Sequence, residues 1–149
     1  MSEQRATYDP GRYYSELLRS ITEQDVYAVL RVMLNHVGED NAVHLSDIAD
    51  QVFGIAYYDD DENGNQVPVH HDRKTRACLE TLVTKYGVPI GAYSGKAGRW
   101  ICASAEEIER VAADLESRVQ STNDRIAALR RIPLPYHEPE RAAQRGLWG

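Results

Sequence analysis

The stretch 69-VHHDRKTRACLETLVTKYGVPIGAYSGKAGRWICAS-104 decides the fold. Its first half predicts a helix beginning near residues 70 to 72 and running to about Tyr86, with Gly87 and Pro89 as stop signals. Thr75, Cys78, Leu79, Leu82 and Tyr86 fall on one face at the 3.6-residue period, so this face is expected inward. His70, Arg73, Lys74, Ala77, Thr81 and Thr84 fall on the opposite half, which is basic at its N-terminal end. Two extended runs follow, 88 to 94 and 99 to 103, around a tip that contains Gly95, Lys96 and Gly98. Between Val69 and Arg99 six basic residues face two acids, a local +4 inside a chain whose net charge is -6.

Working toward the N-terminus, a helix is predicted over about 22 to 37. Ser20 or Thr22 would cap it, and Val26, Val29, Leu30, Met33 and Val37 would line its buried stripe. Ahead of it Tyr8, Tyr13, Tyr14, Leu17 and Leu18 suit an arm or short helix over 1 to 20. A second helix is expected from Ser46, as N-cap, to Phe53, with Ile48, Ala49, Val52 and Phe53 on one face. Between that helix and residue 70 lies an acidic insert, 54 to 69. Its β-prone runs flank Asn63-Gly64, the dipeptide of a type I′ hairpin turn.

Toward the C-terminus, Ser104 and Glu107 form a capping box that opens the longest helix, 104 to 132. Ile108, Val111, Leu115, Val119, Thr122, Ile126 and Leu129 keep a near-heptad stripe until Pro133. At 1.5 Å per residue such a helix spans roughly 40 Å, more than a small domain can cover, so the stripe is expected to pair two chains. The tail 133 to 149 is rich in proline and charge and receives no regular structure, although Leu147 and Trp148 could dock on a partner.

With 149 residues, one domain plus an appendage is expected. Two cysteines, Cys78 and Cys102, lack both the spacing of a zinc site and the density of a disulfide scaffold. Neither an apolar run long enough to span a membrane nor a signal-peptide core stands out, so a cytoplasmic location is expected.

Three helices followed by a hairpin resemble the winged helix-turn-helix. The run YGVPIGAYSGKAGRW from Tyr86, followed by a Ser-capped Glu-rich helix, is similar to small winged-helix proteins of bacterial phages and prophages. The resemblance covers about 80 of the 149 residues and implies an α+β, mainly helical fold with a two-stranded wing. It implies duplex DNA as partner, in a bacterial or phage-infected cytoplasm, with transcriptional regulation as the role. Helix 70 to 86 would enter the major groove, where Arg73 and Lys74 could donate to guanine edges, with His70, His71, Arg76 and Ala77 beside them. Lys96 and Arg99 on the wing would neutralise phosphates, and Ser94 would add a neutral contact. Pairing through the long helix would present two such helices to half-sites about one DNA turn apart.

The insert departs from that pattern, because a helix-turn-helix has only a few residues between these helices and here there are sixteen. Asp59, Asp60, Asp61 and Glu62 would repel DNA if the insert folded over the basic helix; a solvated tip pointing away is the expectation. The same residues spell D-x-D-x-N-G from Asp59 to Gly64, the opening of a calcium loop. His70 would stand where a bidentate Glu is required, so a charged turn is the preferred account and no metal or cofactor is expected. With no nucleophile elbow or P-loop, and with Cys78 on the inner stripe of helix 70 to 86 and Cys102 within a wing strand, an enzyme is not expected. The competing class is an acidic winged-helix adaptor that binds a protein through the long helix or tail, or a replication or packaging accessory.

Overall fold

A computed structural model describes residues 10 to 134; Tyr8, His137, Leu147 and Trp148 lie outside the described residues. The chain divides into two compact units between Asp114 and Leu115. The elements run α1 (Pro10–Ser20), α2 (Gln24–Met33), a 3-10 turn (Glu39–Asn41), β1 (Val43–His44), α3 (Leu45–Phe53), β2 (Ile55–Asp60), β3 (Gln66–His70), α4 (Asp72–Thr84), β4 (Ile90–Gly91), β5 (Gly98–Ile101) and α5 (Ala105–Arg131). The fold is α+β, with small antiparallel sheets and a long C-terminal helix. Among the described residues no helix is long and apolar enough to cross a membrane.

The first unit is built around α2, α3 and α4. Val26, Val29, Leu30 and Met33 of α2 are buried against Leu45 and Ile48 of α3 and against Cys78, Leu79 and Leu82 of α4. The inner stripe of α4 is therefore where its periodicity predicts, with Thr75 fully buried and its hydroxyl donating to the His71 carbonyl. The arm expected before residue 21 is helical from Pro10 and belongs to this core, since Tyr14 is buried and Leu17 and Leu18 pack on it.

Helix α2 is shorter than the expected 22 to 37. Asn35 and His36 donate to carbonyls only three residues back, tightening the end, and the backbone of His36 and Gly38 then bonds Ile101. Val37 is consequently outside the helix and 42% exposed. Neither expected cap closes α2: Ser20 Oγ donates to the Leu17 carbonyl and Thr22 Oγ1 to the Glu23 carboxylate, while Glu23 holds the N-cap position. Ser46 does not cap α3 either. His44 does, its Nδ1 accepting from the Ser46 amide at 3.1 Å, and the Ser46 hydroxyl turns to Asp72. A histidine lies outside the usual capping set of Ser, Thr, Asp and Asn, so residue type alone gives no sign of this cap.

The hairpin expected at 88 to 103 is present, but its sheet has three strands in the order β1-β5-β4. Val43 pairs with Arg99 and His44 with Gly98, while Ile90 pairs with Ile101 and Gly91 with Trp100. Trp100 is buried across Gly91, where an added Cβ would stand 2.3 Å from its ring, so only glycine fits. Glu107 is the buried latch at the start of α5. Its amide donates to the Ser104 hydroxyl, the N-cap partner, and its carboxylate accepts from the Glu39 amide at 2.6 Å and the Ala103 amide at 2.8 Å. The expected capping box is thus only half formed, with the carboxylate spent on the 3-10 turn and the chain just before α5.

The insert forms the antiparallel hairpin β2–β3, with a bulge between Ile55 and Tyr57. Its turn is not type I′, which needs two residues with positive φ; here only Gly64 has one, at 77°. The Gly64 amide donates to the Asp61 carbonyl and the Asp61 amide to the Asn65 carbonyl, giving a three-residue loop with glycine in the left-handed position.

The second unit carries the rest of α5 from Leu115. There Leu115, Val119, Ile126 and Leu129 are all exposed.

Candidate functional site

The basic corner is made by the first turns of α4 and by the β4–β5 tip. Arg73, Arg76 and Ala77 are exposed, as is Lys96 beside Gly95. Arg99 is half-buried, and its guanidinium donates to the carbonyls of Lys96 and Gly98, both at 3.0 Å. Burial and the nearby positive charge of Arg76 hold its pKa below the usual arginine value, with Asp72 opposing the shift. Two guanidiniums, one from α4 and one from β5, therefore lie near each other. Asp72 also receives the Ser46 hydroxyl at 3.2 Å.

The charge placement on α4 is unfavourable for the helix alone. The N-terminal end of a helix carries partial positive charge, so Arg73, Lys74 and Arg76 in its first two turns are repelled by the dipole, and Asp72 alone offsets it. His71 at the N-cap makes no side-chain capping bond. Unpaired amides, a positive helix end and clustered guanidiniums form a surface suited to anions.

The other expected site residues are placed less uniformly. Lys74 is exposed, yet its Nζ lies 3.8 Å from Asp25 and 4.6 Å from the Phe53 ring centre. Ser94 donates to Asp114 through both its amide, at 2.9 Å, and its hydroxyl, at 2.8 Å. His70 ends β3 instead of opening α4, and its Nδ1 stands 2.6 Å from Asp50 Oδ1. His71 packs edge-on against Phe53. The two histidines thus tie β3 to α3, whereas Arg73, Arg76 and Ala77 face outward and Lys96 projects from the tip.

An open groove of about 690 Å³ runs between the base of the β2–β3 hairpin and the outer face of α4. Ala56, Tyr57 and Val69 form one wall; Arg73, Lys74 and Ala77 form the other. Tyr57 is the residue sequence reasoning missed here, since only the strand register brings it to that wall. The acidic tip makes no ion pair with the basic corner among the described residues. Asp61 instead accepts the amides of Asn63 and Asn65, at 2.9 and 2.7 Å, and Asp60 accepts from the Gln66 side chain at 3.3 Å. Asp61 therefore serves the turn, the role a charged loop gives it.

Neither cysteine is poised as a nucleophile. Burial raises the pKa of Cys78, with Asp25 adding to it, and burial raises that of Cys102, with Glu107 adding to it. A smaller cleft of about 390 Å³ lies among Tyr14, Leu34, Val37 and Cys102, and it is mostly apolar. No protein-family model matches the chain, and no curated protein or solved structure is detectably similar to it.

Proposed function

We propose that the chain is a winged-helix protein that binds duplex DNA as a homodimer, with α4 as the recognition helix and β4–β5 as the wing. The order α2, β1, α3, α4, β4, β5, with β1 lying on β5, is the order this assignment needs. The observation that carries it is the pair of exposed guanidiniums, Arg73 and Arg76, in the first turns of α4, with Arg99 of β5 close enough for the Arg76 charge to act on it. Arg73 and Arg76 there oppose the helix dipole, a cost that a bound polyanion would turn into a gain. Arg73 and Arg76 would address base edges and nearby phosphates, and Lys96 and Arg99 the backbone along the wing.

Lys74 stands 3.8 Å from Asp25 in a solvent-exposed pair, so it would be shared between that carboxylate and DNA. Ser94 contributes to DNA only by leaving Asp114. The β2–β3 hairpin occupies the place of the turn, and its Tyr57 wall would flank the bound groove. Self-association would use the exposed stripe on α5, and a regulatory role is the expected consequence of two-fold DNA binding.

Fluorescence anisotropy with labelled duplexes over rising salt tests the proposal. Binding at low salt that weakens steeply with salt, and that Arg73→Ala with Arg76→Ala abolishes, is the expected result. Absence of affinity for any duplex at low salt overturns it and leaves the protein-binding adaptor as the account.

A further inference from the structure

From Leu115 onward, α5 has the spacing of an uninterrupted coiled coil. Leu115, Val119, Thr122, Ile126 and Leu129 are separated by four, three, four and three residues, two full heptads. Every one of these side chains is exposed. Nearer the N-terminus Ile108 keeps this phase but Val111 departs from it, since the heptad continued back from Leu115 falls on Ala112 and then Ile108. Ala112 offers only a methyl group at its position, so the continuous stripe begins where the second unit begins.

Charge along the helix is unevenly divided. Residues 105 to 117 hold five acids and one arginine, a net -4, and residues 118 to 131 hold four arginines and one acid, a net +3. Glu107 is committed to the core of the first unit, but Glu106, Glu109 and Glu116 are exposed at one end and Arg125, Arg130 and Arg131 at the other. Two copies laid parallel would set acid against acid and arginine against arginine. Laid antiparallel, each acidic half meets a basic half.

We propose that a second copy of this chain covers the stripe in the antiparallel sense, with Leu115 of each copy opposite Ile126 of the other and Val119 opposite Thr122. This rests on the self-association already proposed and adds its direction. The register gives every stripe residue an apolar or small partner, because Leu129 then meets Ala112. It also sets the exposed Glu109 of one copy near Arg130 of the other, at the flanking positions that select partners in coiled coils. Arg118 comes near the second copy's Arg125, a repulsion that solvent and salt screen because both side chains are exposed. The two Leu115 residues would then lie roughly 16 Å apart along the axis, against direct contact in a parallel pair.

The test uses the full chain. Light scattering on the wild type comes first; then Leu115→Cys and Ile126→Cys are oxidised singly and as an equimolar mixture, beside wild type treated identically. Antiparallel pairing predicts a dimer in which neither variant cross-links to itself and the mixture does. The native thiols add little background, since burial raises both their pKa values. A second variant, Glu109→Lys with Glu116→Lys, is expected to weaken the dimer by about tenfold at low salt, whereas in a parallel pair it would relieve repulsion and tighten it. A dimer in which Leu115→Cys cross-links to itself, or in which no combination cross-links, overturns the direction while self-association stands. A monomeric wild type overturns self-association and this proposal together, and leaves the affinity of a single module for DNA to the anisotropy titration.

Discussion

Two hairpins bracket α4, and they differ in almost every physical respect. The β4–β5 hairpin is joined by β1, buries Trp100 and Ile101, and ends in a tip bearing Lys96 with Arg99 at its base. The β2–β3 hairpin pairs only with itself, exposes Tyr57, Tyr58 and Val67, and carries Asp59 to Glu62 at its end. A hairpin with a third strand and a buried aromatic can hold a basic side chain at a fixed place; one solvated on both faces is held by its turn and its base. The difference teaches which hairpin can act as a positioning element beside the basic end of α4. It also gives the acidic hairpin a different office: a wall beside α4, pinned at its base where His70 meets Asp50.

The largest expected effect tests burial. Trp100→Ala should cost about 3 to 5 kcal/mol in urea unfolding, as large-to-small core changes do. Tyr57→Ala, at a residue 59% exposed, should stay within about 0.5 kcal/mol. Equal costs at the two sites would erase the contrast between the hairpins. Gly91→Ala sharpens it, with an expected loss of about 1 to 3 kcal/mol from forcing Trp100 away.

Next in size is the contrast in charge. With Lys96→Ala and Arg99→Ala together, the slope of log affinity against log salt should fall by about 1.8, since each lost phosphate contact removes about 0.9. Asp59→Asn with Asp60→Asn should raise DNA affinity only about two- to threefold at low salt, because no ion pair joins these acids to the basic corner among the described residues. A rise of a hundredfold would mean that the acidic tip covers α4.

The smallest effect lies at the far end of α4, between the hairpins in sequence. Glu23 accepts hydrogen bonds from the Tyr86 hydroxyl at 2.6 Å and from Lys85 at 3.2 Å. These donors, Tyr86 foremost and Thr22 with it, hold its carboxyl at about 2, below the ordinary 4.5. A folded-state pKa that is lowered contributes stability above the unfolded value, and that contribution is lost as pH falls from about 4.5 through about 2. Thermal melts of wild type and Tyr86→Phe should therefore differ at pH 6 and converge toward pH 2. A gap independent of pH would show that Tyr86 acts through packing alone.

Long periodic features were legible in the sequence. The inner stripe of α4, both hairpins and the bounds of α5 to within a residue follow from helical or strand period bounded by Gly, Pro and Ser. What escaped depends on partners distant in the chain. Val43–His44 is too short to show any alternation, so the third strand gave no signal until β5 lay beside it. Glu107 binding Glu39, 68 residues away, is a choice made by a tertiary neighbour, whereas His44 capping α3 is a local contact hidden only by its residue type. The same applies to the candidate site. Arg73, Arg76 and Lys96 could be read as outward and basic, but Asp25 beneath Lys74 and Asp114 beneath Ser94 are 49 and 20 residues away in the sequence. An alternation of charge along the chain does not reveal which charges meet.

The central claim is that the end of α4 and the β4–β5 tip together bind duplex DNA, and a salt titration of wild type beside Arg76→Ala, Arg99→Ala and the double variant tests it most directly. The account predicts low-salt binding with a steep salt slope, a shallower slope in each single variant, and a further reduction in the double. Wild-type binding that is absent, or a slope that all three variants leave unchanged, would contradict it.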